Sequence, residues 1–227
     1  PDTYLHVIRD GLKLHEINHC IVTHGHCDHF YATDLMMKAR PYAQSGSAAP
    51  FHVYGTKRIG ELYKRMRDVD DDCENLDDCV KLSEIYPFQP FSVLNYRVTP
   101  LRAAHDPAEC CLIFLIEDEA GKTLLYGNDT AYFPEETWEQ LRGRRLDLVS
   151  LDCTMGILGD GATHMGWNGD VRTKERLEAM GCVHDNTVFI LNHFSHNCGH
   201  GLSHEEMEAL AAPKGFLVAC DGFTAEV

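Results

Sequence analysis

The sequence predicts a layered α/β fold in which mixed β-sheets are covered by helices. Short apolar runs bounded by turn residues recur along the 227 residues, as expected of strands. Helical patterns with recognisable caps lie between several of these runs. The segment CLIFLIEDEAGKTLLYG makes an evident hairpin that turns at Glu119–Gly121, so the sheets are expected to contain antiparallel as well as parallel strands.

Nine apolar runs are the strand candidates. Each is bounded by turn residues, which favours a strand. In chain order they are YLHVI (4–8), HCIVT (19–23), FHVYG (51–55), SVLNYRV (92–98), CLIFLIE (111–117), TLLYG (123–127), LDLVSL (146–151), TVFILN (187–192) and GFLVAC (215–220).

Four helices are predicted from the residues that can begin and end them. Thr56 can cap TKRIGELYKRMRD, the segment from Pro134 to Leu141 is stopped by Gly143, Thr173 can begin a helix that Gly181 ends, and Ser203 with Glu206 forms a capping box before Pro213. The most acidic stretch, DVDDDCENLDDC (68–79), is predicted to be a solvated loop.

Size and composition limit the class of protein. A chain of 227 residues with 44% hydrophobic residues can bury a substantial core, and we expect one domain over residues 1–227. No run of about 18 apolar residues indicates a membrane span. The first residues lack the basic start and apolar centre of a signal peptide. We therefore expect a cytoplasmic protein without a membrane partner.

Charge and cysteine usage narrow the partners further. The formal charge of −15 at pH 7 repels polyanions, so a nucleic acid is a poor candidate for a substrate. None of the ten cysteines forms a C-x-x-C pair, and a chain of this size needs no disulfides, so most are expected to be buried thiols. The oligomeric state stays open, a homodimer included.

The stretch THGHCDHF (23–30) places three imidazoles and a carboxylate within six positions. It follows a predicted strand, at the sheet edge where α/β folds tend to place ligands. In an extended segment His24 and His26 face the same way and can point at one centre. Asp28 and His29 would diverge from that pair by a few ångströms, which suits a second ion. Imidazole and carboxylate are ligands for zinc, manganese or iron, so the stretch predicts a metal site.

The pattern T-H-x-H-x-D-H after a strand resembles the metallo-β-lactamase superfamily. The resemblance implies an αββα sandwich of two mixed sheets flanked by helices, with up to two divalent metal ions. The ligand types suit zinc, manganese and iron alike. Three further ligands are required, and His105, Asp129 and His193 each stand just past a predicted strand. By the resemblance, one ion is held by His24, His26 and His105, the other by Asp28, His29 and His193, and Asp129 bridges both.

Further segments resemble the phosphodiesterase branch of that superfamily. GATHMGWN places His164 on a Gly-rich loop, like the extra histidine that lies near the substrate phosphate in that branch. LLYGNDTAY is similar to a Y-x-x-D-T segment of transfer-RNA 3′-processing enzymes and of the cyclic ribosyl phosphate phosphodiesterases of phosphonate breakdown.

Two questions stay open, the role of His196 and the start of the chain. The run His193-Phe-Ser-His196 resembles the H-x-S-H of the cyclic phosphodiesterases, in which the second histidine helps to bind a structural zinc with N-terminal cysteines. Pro1-Asp2 looks like the end of a G-P-D motif that follows the first strands, so the N-terminal strands are expected to be missing. His196 is therefore either a zinc ligand or an exposed turn residue.

The predicted function is hydrolysis of a small, cyclic phosphodiester by a hydroxide that two metal ions hold. His164 is predicted to act as general acid or charge stabiliser, and Asp28 is placed with it among the catalytic residues. Asp152 could orient a ligand histidine or cap a loop, and it stays outside the predicted site. A thiolester or lactone hydrolase is the first alternative, a ribonuclease of the transfer-RNA 3′-processing type the second, and a non-enzymatic metal-binding module the third.

Overall fold

The computed structural model describes residues 3–43, 49–70, 73–196 and 202–227. It divides into two compact units, Pro1–Tyr86 and Pro87–Val227. The expectation of one domain over residues 1–227 stays a prediction. Pro1 and Asp2, which carry the expectation of missing N-terminal strands, lie outside the described residues.

The first unit is built on a three-stranded parallel sheet in the order β1-β2-β3. Its strands are His19–Ile21 (β1), Phe51–Gly55 (β2) and Val80–Glu84 (β3). Its helices are Thr3–Asp10 (α1), Lys57–Val69 (α2) and Leu76–Cys79 (α3), with a 3₁₀ helix at Ala32–Lys38. Val53 of the central strand is fully buried among apolar side chains of α2 and the 3₁₀ helix. This core fixes the carboxyl end of β1, from which residues 23–30 leave the sheet.

The second unit is built on a seven-stranded mixed sheet in the order β10-β9-β8-β7-β6-β5-β4. The strands are Phe91–Val93 (β4), Tyr96–Arg102 (β5), Leu112–Glu117 (β6), Thr123–Gly127 (β7), Leu148–Asp152 (β8), Val188–Asn192 (β9) and Leu217–Val218 (β10). Strands β7 to β10 are parallel to one another, whereas β4, β5 and β6 form antiparallel pairs and β6 pairs antiparallel with β7. The parallel strands therefore end at one edge, which gathers the residues that follow them.

Helices Glu135–Leu141 (α4), Trp167–Ala179 (α5) and His204–Ala211 (α6) complete the second unit, with 3₁₀ turns at Gly156–Leu158 and Ala212–Lys214. Trp138 of α4 and Leu177 of α5 are buried in one apolar cluster with side chains of strands β5 to β10. The capping box of Ser203 and Glu206 begins α6 as predicted. The predicted α/β class, with two sheets and accompanying helices, is confirmed.

Two segments predicted as strands differ in the structure. YLHVI lies in α1 rather than in a strand. Its apolar residues Tyr4, Leu5 and Ile8 are spaced i, i+1 and i+4, which matches a helical face better than alternation does. SVLNYRV is not one strand but the β4–β5 hairpin, because Leu94 adopts a left-handed backbone with φ 53° and turns the chain.

Two other segments also depart from the prediction. Helix α5 begins at Trp167, well before Thr173, with Gly166 at its N-cap. The acidic stretch 68–79 is not simply a solvated loop, because α3 lies within it and Leu76 is 1% exposed. Asp71 and Asp72 of that stretch lie outside the described residues.

Among the described residues, no helix combines the length and apolar character that crossing a bilayer requires.

Candidate metal centre

The metal-motif stretch of the first unit leaves β1 and folds back as a turn. Val22 still donates its N–H to the Tyr54 carbonyl at 2.9 Å, so the chain leaves the sheet directly after it. The N–H groups of His29 and Phe30 then both donate to the His26 carbonyl, at 3.0 and 2.8 Å. This turn returns His29 toward the first two histidines.

Three imidazoles are clustered by this turn. The ring of His24 lies 4.5 Å from that of His26 and 4.4 Å from that of His29, measured between centroids. His24 is buried, whereas the Asp28 side chain is 72% exposed and lies 3.4 Å from His29 Nε2. The first unit thus brings together the three histidines of the predicted site, with Asp28 at their outer side.

The second unit places Asp129 after β7 and His193 after β9, both with a left-handed backbone. Each has a φ of 60°, which non-glycine residues rarely adopt. Such backbone strain costs free energy and is retained mainly where a ligand or reaction requires it. The distance from His193 Nε2 to Asp129 Oδ2 is 3.9 Å. Two predicted ligands therefore meet at the edge where the parallel strands end.

His105, which follows β5, is held by the loop that carries His164. Its Nδ1 lies 3.1 Å from the carbonyl of Thr163. Because a carbonyl oxygen only accepts, Nδ1 carries the proton, and Nε2 carries the lone pair that a metal ion needs. His105 Nε2 lies 3.4 Å from Asp129 Oδ1, and its side chain is 6% exposed.

Asp152, the last residue of β8, organises this cluster from a fully buried position. Its Oδ2 accepts from the N–H of Thr130 at 3.0 Å and from His164 Nδ1 at 3.0 Å. Its Oδ1 accepts from the N–H of Thr154 at 2.9 Å. The carboxylate thereby orients His164, whose Nδ1 also lies 3.4 Å from Asp129 Oδ1. Nδ1 of His164 therefore faces the two carboxylates, and Nε2 is turned away from them.

The donor set of the second unit suits a divalent metal ion. Asp129, Asp152, His164 and His193 each offer a ligand atom, and these atoms lie within 4.8 Å of one another. Imidazole nitrogen and carboxylate oxygen are common ligands of zinc, manganese and iron. The residues present thus fit the predicted kind of cofactor, and both units contain a cluster of this chemistry.

The cysteine between Asp152 and Thr154 does not compete for a metal ion. Burial, followed by the neighbouring Asp170 carboxyl, raises the pKa of the Cys153 thiol far above its ordinary value. Burial likewise raises the pKa of Cys111 to about 12. Since only a thiolate is a strong ligand, the site keeps its nitrogen and oxygen character.

Sequence reasoning named Asp152 but left it outside the site, and it missed Thr154. Asp152 follows a buried strand just as Asp129 does, so the same signal pointed to it, but a cap was an equally good explanation. Thr154 carries no sequence signal, because its role depends on contacts with His193. His196 is exposed, and both alternatives for it stay open because residues 197–201 beside it lie outside the described residues.

Comparisons with known proteins agree with this picture. Residues 4–194 match the family described as the β-lactamase superfamily domain. No curated protein has a significantly similar sequence. Among solved structures, the chain is similar to a diphosphatase of the PhnP family, with a TM-score of 0.72 and 21% identity over 100% of this chain and 77% of the other.

Two further structures share the fold at lower identity. The short form of human tRNase Z has a TM-score of 0.66 and 17% identity over 86% of this chain and 79% of its own. An isothiocyanate hydrolase from Delia radicum gut bacteria has a TM-score of 0.61 and 13% identity over 93% of this chain and 78% of its own. The predicted fold is thereby confirmed. Because the family match covers most of the chain, this protein belongs to the β-lactamase superfamily of metal-dependent hydrolases.

Proposed function

We propose that the chain hydrolyses a small phosphodiester, such as a cyclic one, with the help of two divalent metal ions. The observation that carries the proposal is His164, an imidazole additional to the predicted ligands. Its Nδ1 is held by the buried Asp152 at 3.0 Å, beside Asp129. An oriented histidine next to metal ligands is the group that protonation of a leaving oxygen requires.

The proposed ligand assignment uses the clusters of both units. His24, His26 and His105 would hold one ion, Asp28, His29 and His193 the other, and Asp129 would bridge them. Bound divalent ions, zinc or manganese with iron as a third option, supply charge neutralisation at phosphoryl oxygens and lower the pKa of water. Asp28, exposed at the edge of its cluster, is the proposed second catalytic residue.

His164 performs the proton step in this proposal. Asp152 accepts the Nδ1–H of His164, so a second proton on the ring is carried at Nε2. The buried Asp152 carboxylate, 3.0 Å from Nδ1, fixes this orientation of the ring. The Nε2–H then gives its proton to the oxygen that leaves phosphorus, which leaves the ring neutral, and a proton from solvent restores the protonated ring.

The substrate class rests on charge and on likeness. A chain with a formal charge of −15 repels a long polyanion but admits a small diester once metal ions are bound. The names of the similar diphosphatase and tRNase Z refer to phosphate-containing compounds, whereas the name of the isothiocyanate hydrolase does not. The thiolester, lactone and transfer-RNA alternatives are therefore tested alongside the diester. The proposed place of action is the cytoplasm.

The test compares His164→Ala with a matched control. His184 also pairs with a buried aspartate, at 3.3 Å from Asp147, but it precedes β9 at the opposite end of the strands. We expect His164→Ala to keep its metal content and to lose about a hundred- to ten-thousand-fold in kcat with bis(p-nitrophenyl) phosphate. His184→Ala should keep both metal content and kcat.

Substrate panels complete the experiment. A cyclic phosphodiester, a thiolester, a lactone and a precursor transfer RNA are offered to the metal-loaded wild type. Fastest turnover of the small diester would support the proposal. Fastest turnover of the thiolester, the lactone or the precursor transfer RNA would instead support the hydrolase or ribonuclease that acts on that substrate. Wild-type turnover by His164→Ala would remove the role given to this histidine.

A further inference from the structure

The hydroxyl of Thr154 contacts two atoms of a single residue, His193. Its Oγ1 lies 2.7 Å from the His193 carbonyl oxygen and 2.6 Å from His193 Nδ1. Thr154 is 9% exposed, so water does not readily replace either contact. Both distances are those of strong hydrogen bonds.

The two contacts together determine where the protons lie. A hydroxyl has one proton, and a carbonyl oxygen can only accept, so the Thr154 O–H donates to the His193 carbonyl. The contact with Nδ1 is then favourable only when Nδ1 carries a proton and donates it to Oγ1. The neutral ring therefore carries its lone pair at Nε2, the atom that lies 3.9 Å from Asp129 Oδ2.

The backbone makes this double contact feasible. At a φ of 60°, His193 brings its own carbonyl and its own ring to the same hydroxyl. The position of Thr154 is fixed independently, because its N–H donates to Asp152 and the Cys153 N–H donates to the Asn192 carbonyl at 2.8 Å. Asp152 Oδ2 cannot take over this role, since its distance of 3.6 Å from His193 Nδ1 exceeds that of a hydrogen bond.

We infer that Thr154 is a positioning residue that locks His193 in the Nδ1–H tautomer and presents Nε2 to a divalent metal ion. The inference rests on the proposed function in so far as His193 is a ligand there. Partners that fix the tautomer of a ligating histidine typically contribute about 10–100-fold in metal affinity.

Three variants test the inference. Thr154→Val keeps the shape of the side chain and removes the hydroxyl, whereas Thr154→Ser keeps the hydroxyl. Thr137→Val is the matched control, because Thr137 of α4 is also buried and its hydroxyl donates to a backbone carbonyl, that of Arg102 in β5, at 2.7 Å. Two readouts are used: the tautomer of His193 in the metal-free chain, from long-range ¹H–¹⁵N NMR, and the Mn²⁺ affinity, from calorimetry.

We expect the metal-free wild type to show His193 as Nδ1–H. Thr154→Val should show a substantial Nε2–H population and bind Mn²⁺ about 10–100-fold more weakly. Thr154→Ser should restore both properties, and Thr137→Val should leave both unchanged.

An Nε2–H ring in the metal-free wild type would overturn the inference, even if Thr154→Val did not fold. So would a Thr154→Val variant that matches Thr137→Val in tautomer and affinity. Neither readout uses turnover. A chain that passes both tests but leaves phosphodiesters intact would keep the role of Thr154 and lose the proposed substrate.

Discussion

Two buried carboxyl groups of the second unit respond to burial in opposite ways. Burial raises the pKa of Asp147, but the Thr123 N–H at 3.0 Å and the Lys122 ammonium at 3.2 Å lower it more, so the net pKa is below the ordinary value. Burial raises the pKa of Asp170 well above its ordinary value. The Cys153 thiol, a weak donor, contacts this carboxyl and lowers its pKa by less than burial raises it. The surroundings therefore favour the ionised form of Asp147 and the neutral form of Asp170.

The substitution Asp170→Asn should stabilise the protein at neutral pH. In the unfolded chain the carboxyl ionises near pH 3.8, whereas the folded chain retains the proton to a higher pH. The buried carboxyl therefore lowers the free energy of unfolding of the wild type, and this loss grows as pH rises above 3.8. We expect a gain on the order of 1 kcal/mol at pH 7 that vanishes near pH 3.5, measured by urea denaturation.

Asp147→Asn provides the control with the opposite sign. Because the pKa of Asp147 is depressed in the folded chain, its contribution is fully present above pH 3.8 and is lost as pH falls through the folded pKa. This variant should lose about 1–3 kcal/mol at pH 7. If both variants changed stability by the same amount at every pH, burial would not be the cause of the Asp170 shift.

At the scale of elements, helix α5 receives its N-terminal cap from a residue six positions earlier than its N-cap glycine. Gly166 has no side chain, and Asp160 Oδ1 accepts from the N–H groups of Gly166 and Gly169, at 3.2 and 2.8 Å. Arg172 of the same helix donates to the other Asp160 oxygen. A Cβ at Gly169 would collide with Asp160, so the glycine is needed for this approach. The loop between them carries His164.

Asp160→Ala should cost about 0.5–2 kcal/mol in the free energy of unfolding, as loss of an N-cap does. Because His164 lies on the same loop, kcat for the proposed diester should fall by up to about a hundredfold without loss of metal. Asp160→Asn keeps the acceptor for the two N–H groups and loses only the charge partner of the exposed Arg172, so it should cost less than about 1 kcal/mol. Equal costs for the two variants would assign the effect to Arg172 instead of the cap.

Local signals explain which elements the sequence predicted. Strands β6, β7 and β9 are apolar runs between turn residues, and α6 has its cap within its own sequence, so all were predictable. The start of α5 was not, because its capping carboxylate lies in a preceding loop. The α1 segment was misjudged because a short apolar run contains two periodicities. The β4–β5 hairpin was missed because its left-handed turn residue is an apolar one, Leu94.

In the candidate site too, residues with local sequence signals were predictable, and those that depend on tertiary contacts were not. Residues 23–30 form a dense motif, and His105, Asp129 and His193 each follow a strand, so the seven proposed ligands could be read from spacing and resemblance. Asp152 also stands at the end of a strand, but no motif surrounds it. The sequence therefore could not decide whether it orients a ligand histidine or caps a loop. Thr154 could not be found in this way, since its contact depends on the left-handed backbone of His193.

At the scale of the whole molecule, metal binding should be visible as stability. A ligand that binds only the folded chain at a hundredfold excess over its Kd contributes about 2.7 kcal/mol. For a chain of this size, that corresponds to a Tm increase of roughly 5–10 °C. Mn²⁺ is the better probe than Zn²⁺, because the ten cysteines of the unfolded chain would bind zinc and reduce the difference.

General screening of the charge of −15 could also raise Tm, and Mg²⁺ at equal concentration separates the two effects. Mg²⁺ has the same charge but favours oxygen ligands and retains its waters, so an imidazole-rich site should bind it weakly. We expect a large shift with Mn²⁺, a small one with Mg²⁺, and loss of the Mn²⁺ shift in Asp129→Asn, whose carboxylate is the proposed bridge. Equal Tm shifts with Mn²⁺ and Mg²⁺ would mean that surface charge, and not an imidazole site, binds the metal. The hydrolase chemistry proposed for this chain would then lose its basis.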